Sequence, residues 1–342
     1  MVHIPVAILP VLVFLAVLVF VDSFKLVPLR SVLLAILAGC VAALICSSLN
    51  GALIDALGLS SRAFSRYVAP VTEELFKALY LAYLIRKRRV GFLVDAAIQG
   101  FAIGAGFAMV ENTYYLLRPG DAGPLLWIVR GLGTALVHGS TTSTFGMISQ
   151  GLAERHGSRA PWVFAPGVAA SIAAHSFFNH FVIHPLLATA LLLALFPLLM
   201  IVVFERSRDA TRAWLAEGFH GDTEFLATIL QGEVGDTRVG SYLHSLKSRF
   251  PGPVVADMLC LIRVNLELSL QGKGILIARE AGLDLPIGSE VKANLEEMRY
   301  LEKAVGATGL LAIRPLLKNR SRDLWHLYML DQTGASKHEA SR

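Results

Sequence analysis

The chain has 342 residues, of which 54% are hydrophobic and only 17% charged, with a formal net charge of +5. A soluble globular protein carries about 25% charged residues. Here the apolar residues instead gather in runs of about 20, the length that crosses ~30 Å of hydrocarbon. This excludes a soluble enzyme, and the placement of most cations in short loops excludes a nucleic-acid-binding surface. The fold class expected is an all-α polytopic membrane protein of about seven transmembrane helices, with the lipid bilayer as its surroundings.

In chain order the expected spans are about 4–22, 32–54, 64–85, 91–117, 125–152, 161–183 and 185–204. The first, "MVHIPVAILPVLVFLAVLVFVD", has no basic stretch before it and no small-x-small cleavage site, so it reads as a transmembrane helix and not as a signal peptide. The third is the least apolar because it contains "EELFK". Cys40 and Cys46 lie in an apolar run and Cys260 in a polar one, and no disulfide framework or CxxC pair follows from them.

Basic residues alternate between connections: Lys25 and Arg30, then Arg86 to Arg89, then Arg155 and Arg159, then Arg206 and Arg208. The intervening loops "DALGLSSR", "RPGDAG" and "IHP" are poor in cations. By the positive-inside rule the N-terminus is expected outside the cell membrane and the C-terminus in the cytoplasm. Composition changes near residue 205, so residues 1–204 are expected to form the membrane core and 205–330 a helical cytoplasmic domain. "LLKNRSRDLWHLYML" is expected to be the last helix of that domain, and 331–342 a disordered tail.

Ionisable groups inside the spans cost several kcal/mol each and mark function. Span three holds Glu73, Glu74 and Lys77, span four Asp95, Glu111 and Asn112, span five His138, and span six His175, Asn179 and His180. At ~1.5 Å per residue, Glu73, Glu74, Glu111, His138 and His175 all fall between the bilayer midplane and the outer interface, which predicts one internal cluster. Glu73 and Lys77, at i and i+4, are expected to pair, leaving Glu74 free for other work. Asp95 is expected to pair with the basic loop Arg86 to Arg89, and His180 and His184 to be structural. Gly100 and Gly104 are expected to let helices approach closely. Two imidazoles with carboxylates suit a divalent ion such as Zn²⁺. Equally, a carboxylate in an apolar site suits a general base.

The ordered set EExxK (73–77), FxxxEN (107–112), His138 in the next span and His175 in the one after resembles the PrsW family of intramembrane metalloproteases, within the wider CPBP group that includes prenyl endopeptidases. The resemblance covers about residues 65–180. It implies a peptidase acting on membrane-associated proteins, with Glu73 and Glu74 as the paired glutamates, one of which activates water, and His138 and His175 as the active-site histidines. Asn179 matches the asparagine of HxxxN, which would stabilise the oxyanion, and some of Glu111, His138 and His175 would hold a metal, with Zn²⁺ the ion expected. The wider group has a histidine at the position of Glu111. The family precedent is a first, extracytoplasmic cut in an anti-sigma factor. Two other readings of the polar residues remain open: an ion or proton pathway of a transporter, and an inactive membrane scaffold.

Overall fold

The computed structural model describes residues 3–22, 24, 26–116, 129–158, 160–283, 285, 288–317 and 330, and no strand occurs among them. The chain divides into two compact units, Met1–Arg208 and Asp209–Arg342.

The first unit contains α1 (His3–Val21), α2 (Leu29–Leu57), α3 (Ala69–Arg86), α4 (Leu93–Leu116), α5 (Ala135–His156), α6 (Ala165–Asn179) and the start of α7 (Pro185–Leu230). Each lies on one of the expected segments. Among the described residues, three helices, α2, α4 as far as Tyr115, and α7, are long and apolar enough to cross a membrane. Pro70 and Pro166 sit in the first turns of α3 and α6, where a missing N–H costs nothing. The chain enters α3 through a π-helical segment, Phe64–Val68, and α5 through another, Val129–Thr134.

Helix α4 is the axis of this unit. Its apolar window is 83% buried, against 33% for α2 and 22% for α7. The outer faces of α2 (Leu33, Leu37, Leu44) and α7 (Leu195, Leu198, Ile201) are exposed and apolar, as a lipid-facing surface requires. Lipid supplies no hydrophobic drive between helices, so close packing must hold them. A Cβ at Gly39 of α2 would stand 1.9 Å from the Ile103 carbonyl oxygen, and one at Gly104 2.2 Å from that of His138. Backbone therefore lies on backbone along both sides of α4, and the contact at Gly104 brings α5 in at the residue that bears His138.

The expected partner of Asp95 is corrected. Its Oδ2 accepts from the backbone N–H of Gly91 (2.9 Å) and of Phe92 (3.3 Å) just before α4, so it closes off its own helix instead of meeting the basic loop. A short acidic side chain in the first turn reaches orphan amides more readily than it reaches a neighbouring loop.

In the second unit, α7 runs on without interruption to Leu230, past the boundary expected at 205. Polarity changes there but helical propensity does not: "ERSRDATRAWLAEGF" has no breaker before Gly218. The unit continues with α8 (Arg238–Leu246), α9 (Gly252–Glu280) and α10 (Ser289–Ile313). Arg263 to Glu297 (3.0 Å) and Asn294 to Glu267 (3.2 Å) link α9 to α10. At its centre Lys273 Nζ, fully buried, lies 2.7 Å from Asp222 Oδ2, which also accepts from the Ser269 hydroxyl at 2.8 Å. The expected tail 331–342, nearly all of the expected last helix, Lys25, Arg159 and the loop "RPGDAG" fall outside the described residues.

Candidate active site

Four helices of the first unit each contribute to one cluster. Helix α3 brings Glu73, Glu74 and Lys77, α4 brings Glu111, α5 brings His138 and α6 brings His175. Glu73, Glu74, Lys77, His138 and His175 are all buried, with Lys77 at 0% and His138 at 1% exposure. The side chains of Glu111 (24% exposed) and Glu73 (11%) form its open edge. Taking so many ionisable groups out of water is tolerable only if they satisfy one another.

Glu74 is the hub. Its Oε1 receives Lys77 Nζ at 2.5 Å, the Thr141 hydroxyl at 3.1 Å and His175 Nδ1 at 2.8 Å. The expected pairing is thus reversed: Lys77 bonds Glu74 at i+3, not Glu73 at i+4, and Glu74 is the engaged carboxylate. Both spacings bring side chains together on a helix surface. The choice falls to the neighbours, because Lys77 also lies 2.9 Å from His138 Nδ1 and 4.9 Å from the centroid of the Phe107 ring.

These contacts assign the imidazole protons. A carboxylate only accepts, so His175 donates from Nδ1 to Glu74, which in the neutral ring leaves the lone pair on Nε2. An ammonium only donates, so His138 accepts Lys77 at Nδ1 and carries its proton on Nε2, which donates to Glu111 Oε2 at 2.6 Å. The two rings stand edge to face with centroids 4.9 Å apart, and Phe107 lies 4.8 Å from the His138 ring.

Glu73 stands apart from that network. Its Oε2 lies 3.9 Å from His175 Nε2, too far for a hydrogen bond but close enough for one water, set beside the line joining them, to bond both. Its Oε1 accepts from the Asn50 amide of α2 at 3.4 Å, and Asn50 in turn accepts from the Thr72 hydroxyl at 2.7 Å.

Glu73, His138 and His175 each offer a ligand atom within 4.8 Å of the others, and among the described residues they form the one such group of three. Two imidazoles and a carboxylate are the donor types of a catalytic zinc site that keeps a position open. The Glu74 carboxylate behind His175 is the outer partner such a ligand usually has. The residues therefore fit a metal. The neutral His175 ring has Nε2 available to ligate, whereas His138 is engaged at Nδ1 by Lys77 and at Nε2 by Glu111 and would have to exchange one of those contacts to ligate.

Of the residues expected at the site, Glu73, Glu74, Glu111, His138 and His175 come together. Asn179 is placed elsewhere: its amide donates to the Ser65 carbonyl at 2.8 Å, tying the end of α6 to the π-helical segment before α3. His180 likewise bonds the Ser176 carbonyl and stacks edge-on with Tyr67. Sequence reasoning missed Asn50, Thr72 and Thr141. Asn50 sits in "CSSLN", a polar patch towards the C-terminal end of an apolar run, and that interruption is the signal that marks it.

The sequence profile of the family described as PrsW family intramembrane metalloprotease matches residues 27–204, a stretch that holds all of these groups. No curated protein and no solved structure matches the chain.

Proposed function

Since this chain belongs to the PrsW family of intramembrane metalloproteases, we propose that it is a membrane-embedded peptidase in which Glu73 activates water and Glu74 holds His175 in place. The observation that carries the reading is the 3.9 Å space between Glu73 Oε2 and His175 Nε2, with His175 Nδ1 anchored on Glu74. Glu74 already accepts three hydrogen bonds on one oxygen, so taking a proton would cost it those contacts. Glu73 has Oε2 turned to the reaction space.

In the proposed reaction a water molecule bridges Glu73 Oε2 and His175 Nε2 from beside the line joining them. Glu73 takes its proton as the water oxygen bonds to the scissile carbonyl carbon. His138, with a proton on Nε2, faces Glu111 at the open edge and supplies a donor for the negative charge that develops on the carbonyl oxygen. The carbon–nitrogen bond then breaks, and Glu73 returns the proton to the leaving amine. A divalent ion, when held by Glu73, His138 and His175, would lower the pKa of the attacking water and would polarise the carbonyl in place of the His138 Nε2–H.

The chain is a membrane protein, and the substrate is a membrane-associated protein that reaches the cluster from its Glu73–Glu111 edge. We place that edge towards the extracytoplasmic side, with the N-terminus outside and residues 205–330 in the cytoplasm, from the alternation of basic loops. A single-span anti-sigma factor is the substrate class this family resemblance points to.

The test uses full-length protein in detergent and a single-span reporter peptide with a fluorophore and a quencher on either side of its outer membrane boundary. Wild type is expected to cleave it, Glu73→Gln to be inactive while melting like wild type, and a chelator to stop cleavage until Zn²⁺ is restored. Cleavage by Glu73→Gln at the wild-type rate would refute the assignment.

A further inference from the structure

We propose that Asn50 of α2, with Thr72 behind it, is a positioning residue that decides which oxygen of Glu73 faces the reaction; this rests on the role given to Glu73 above. Glu73 is the one acid of α3 whose carboxylate is not fixed by Lys77 or His175 through a short bond. A glutamate side chain has a broad terminal torsion and several free rotors, so a base at the open edge of a site needs something to orient it.

The orientation comes from a neighbouring helix. The Asn50 amide nitrogen lies 3.4 Å from Glu73 Oε1. With Oε1 held there, Oε2 is the oxygen left towards His175 Nε2. The amide is fixed in its turn: its oxygen accepts from the Thr72 hydroxyl at 2.7 Å. A flipped Asn50 would put its oxygen against the Glu73 carboxylate, two acceptors face to face, so the carboxylate sets which end of the amide faces it. The chain Thr72 to Asn50 to Glu73 therefore runs in one direction only.

Position adds to this. Asn50 lies where α2 leaves the bundle: Ser47, Ser48, Gly51 and Ala52 around it are exposed, whereas Cys46, one turn earlier, is buried with Phe107 in the core. Asn50 is therefore the point at which the C-terminal end of α2 is tied to the catalytic helix. Its partner Thr72 precedes Glu73 in sequence, so the two anchors grip adjacent residues of α3.

The experiment compares wild type with Asn50→Ala, Thr72→Val, the double variant and Thr72→Ser, all full length in detergent. Two quantities are read: kcat and KM on the single-span reporter peptide, and Zn²⁺ affinity by competition with a chromogenic chelator. Loss of an outer hydrogen bond to a site residue weakens metal affinity or activity by 10–100-fold. Asn50→Ala is expected to lower kcat about 10-fold at unchanged KM and to weaken Zn²⁺ binding about 10-fold. Thr72→Val should give a smaller loss, Thr72→Ser should restore it, and the double variant should be no worse than Asn50→Ala alone, since the two act through one path. Wild-type kcat and Zn²⁺ affinity in Asn50→Ala, or losses that simply add in the double variant, would overturn the proposal. A folded wild type that neither cleaves nor binds Zn²⁺ would instead remove the protease reading and this inference with it.

Discussion

Glu74 Oε1 and His175 Nδ1 lie 2.8 Å apart and join α3 to α6 through a single carboxylate–imidazole bond. That bond separates the roles of two adjacent glutamates. In the proposed mechanism Glu73→Gln removes the proton acceptor, and cleavage should fall ~10²–10⁴-fold, the range of a lost general base. Glu74→Gln keeps an acceptor oxygen for His175 but loses its charge. Its cleavage should fall only ~10–100-fold, while its melting temperature falls because Lys77 is left buried opposite a neutral amide. A larger rate loss in Glu74→Gln than in Glu73→Gln, at equal folding, would exchange the two assignments.

Lys77 is fully buried and touches both Glu74 and His138. Removing one member of a buried pair leaves the other uncompensated, at a cost of about 3–5 kcal/mol. Lys77→Met should therefore destabilise the protein strongly. Combining it with Glu74→Gln should recover part of the loss, because the stranded charge is then gone. Lys77 also fixes the His138 tautomer, so the histidine ¹⁵N resonances of Lys77→Met should show the His138 proton redistributed between Nδ1 and Nε2. An unchanged His138 tautomer would show that Glu111 alone sets it.

The location of this site is legible in the sequence, whereas its wiring is not. Glu73, Glu111, His138 and His175 stand out because an ionisable group in an apolar run needs a partner, and depth along each helix brings them to one level. Which glutamate takes Lys77 cannot be read from spacing, since i+3 and i+4 both reach; the position of His138 on α5 decides it. Asp95 reads as a partner for the loop cations, but two amides of its own chain are closer. Asn50 is neutral, and so escapes a search for charge. The unbroken helix through residue 205 hides behind a change of polarity that leaves the helical pattern intact.

Gly104 offers a test of how the bundle holds His138. A Cβ there would lie 2.2 Å from the His138 carbonyl oxygen and 2.6 Å from the Gly139 Cα. Both are backbone atoms that cannot swing aside, so α4 and α5 must part. Gly104→Ala should lower stability by about 1–3 kcal/mol, as overpacking does, and should reduce cleavage by displacing His138 from Glu111. Gly51→Ala is the control, because nothing stands within 4 Å of a Cβ there, and it should behave as wild type. Equal behaviour of the two variants would mean that α4 and α5 do not need this approach.

The buried pair of the second unit, Asp222 with Lys273, yields a prediction independent of catalysis. Lys273 Nζ is 2.7 Å from Asp222 Oδ2 and 5.2 Å from the centroid of the Trp214 ring, with both charged side chains almost wholly out of solvent. Ser269 adds a hydroxyl donor to the same oxygen. Desolvating two charges roughly offsets their attraction, whereas stranding one does not. Asp222→Ala should therefore cost about 3–5 kcal/mol, read as a lower melting temperature of the full-length protein. Asp222→Leu combined with Lys273→Met fills similar space without charge and should melt close to wild type. If Asp222→Ala melts like wild type, the pair is not what holds α7 to α9 in this unit; if the double variant melts as low as Asp222→Ala, the ion pair contributes net stability beyond the space it fills.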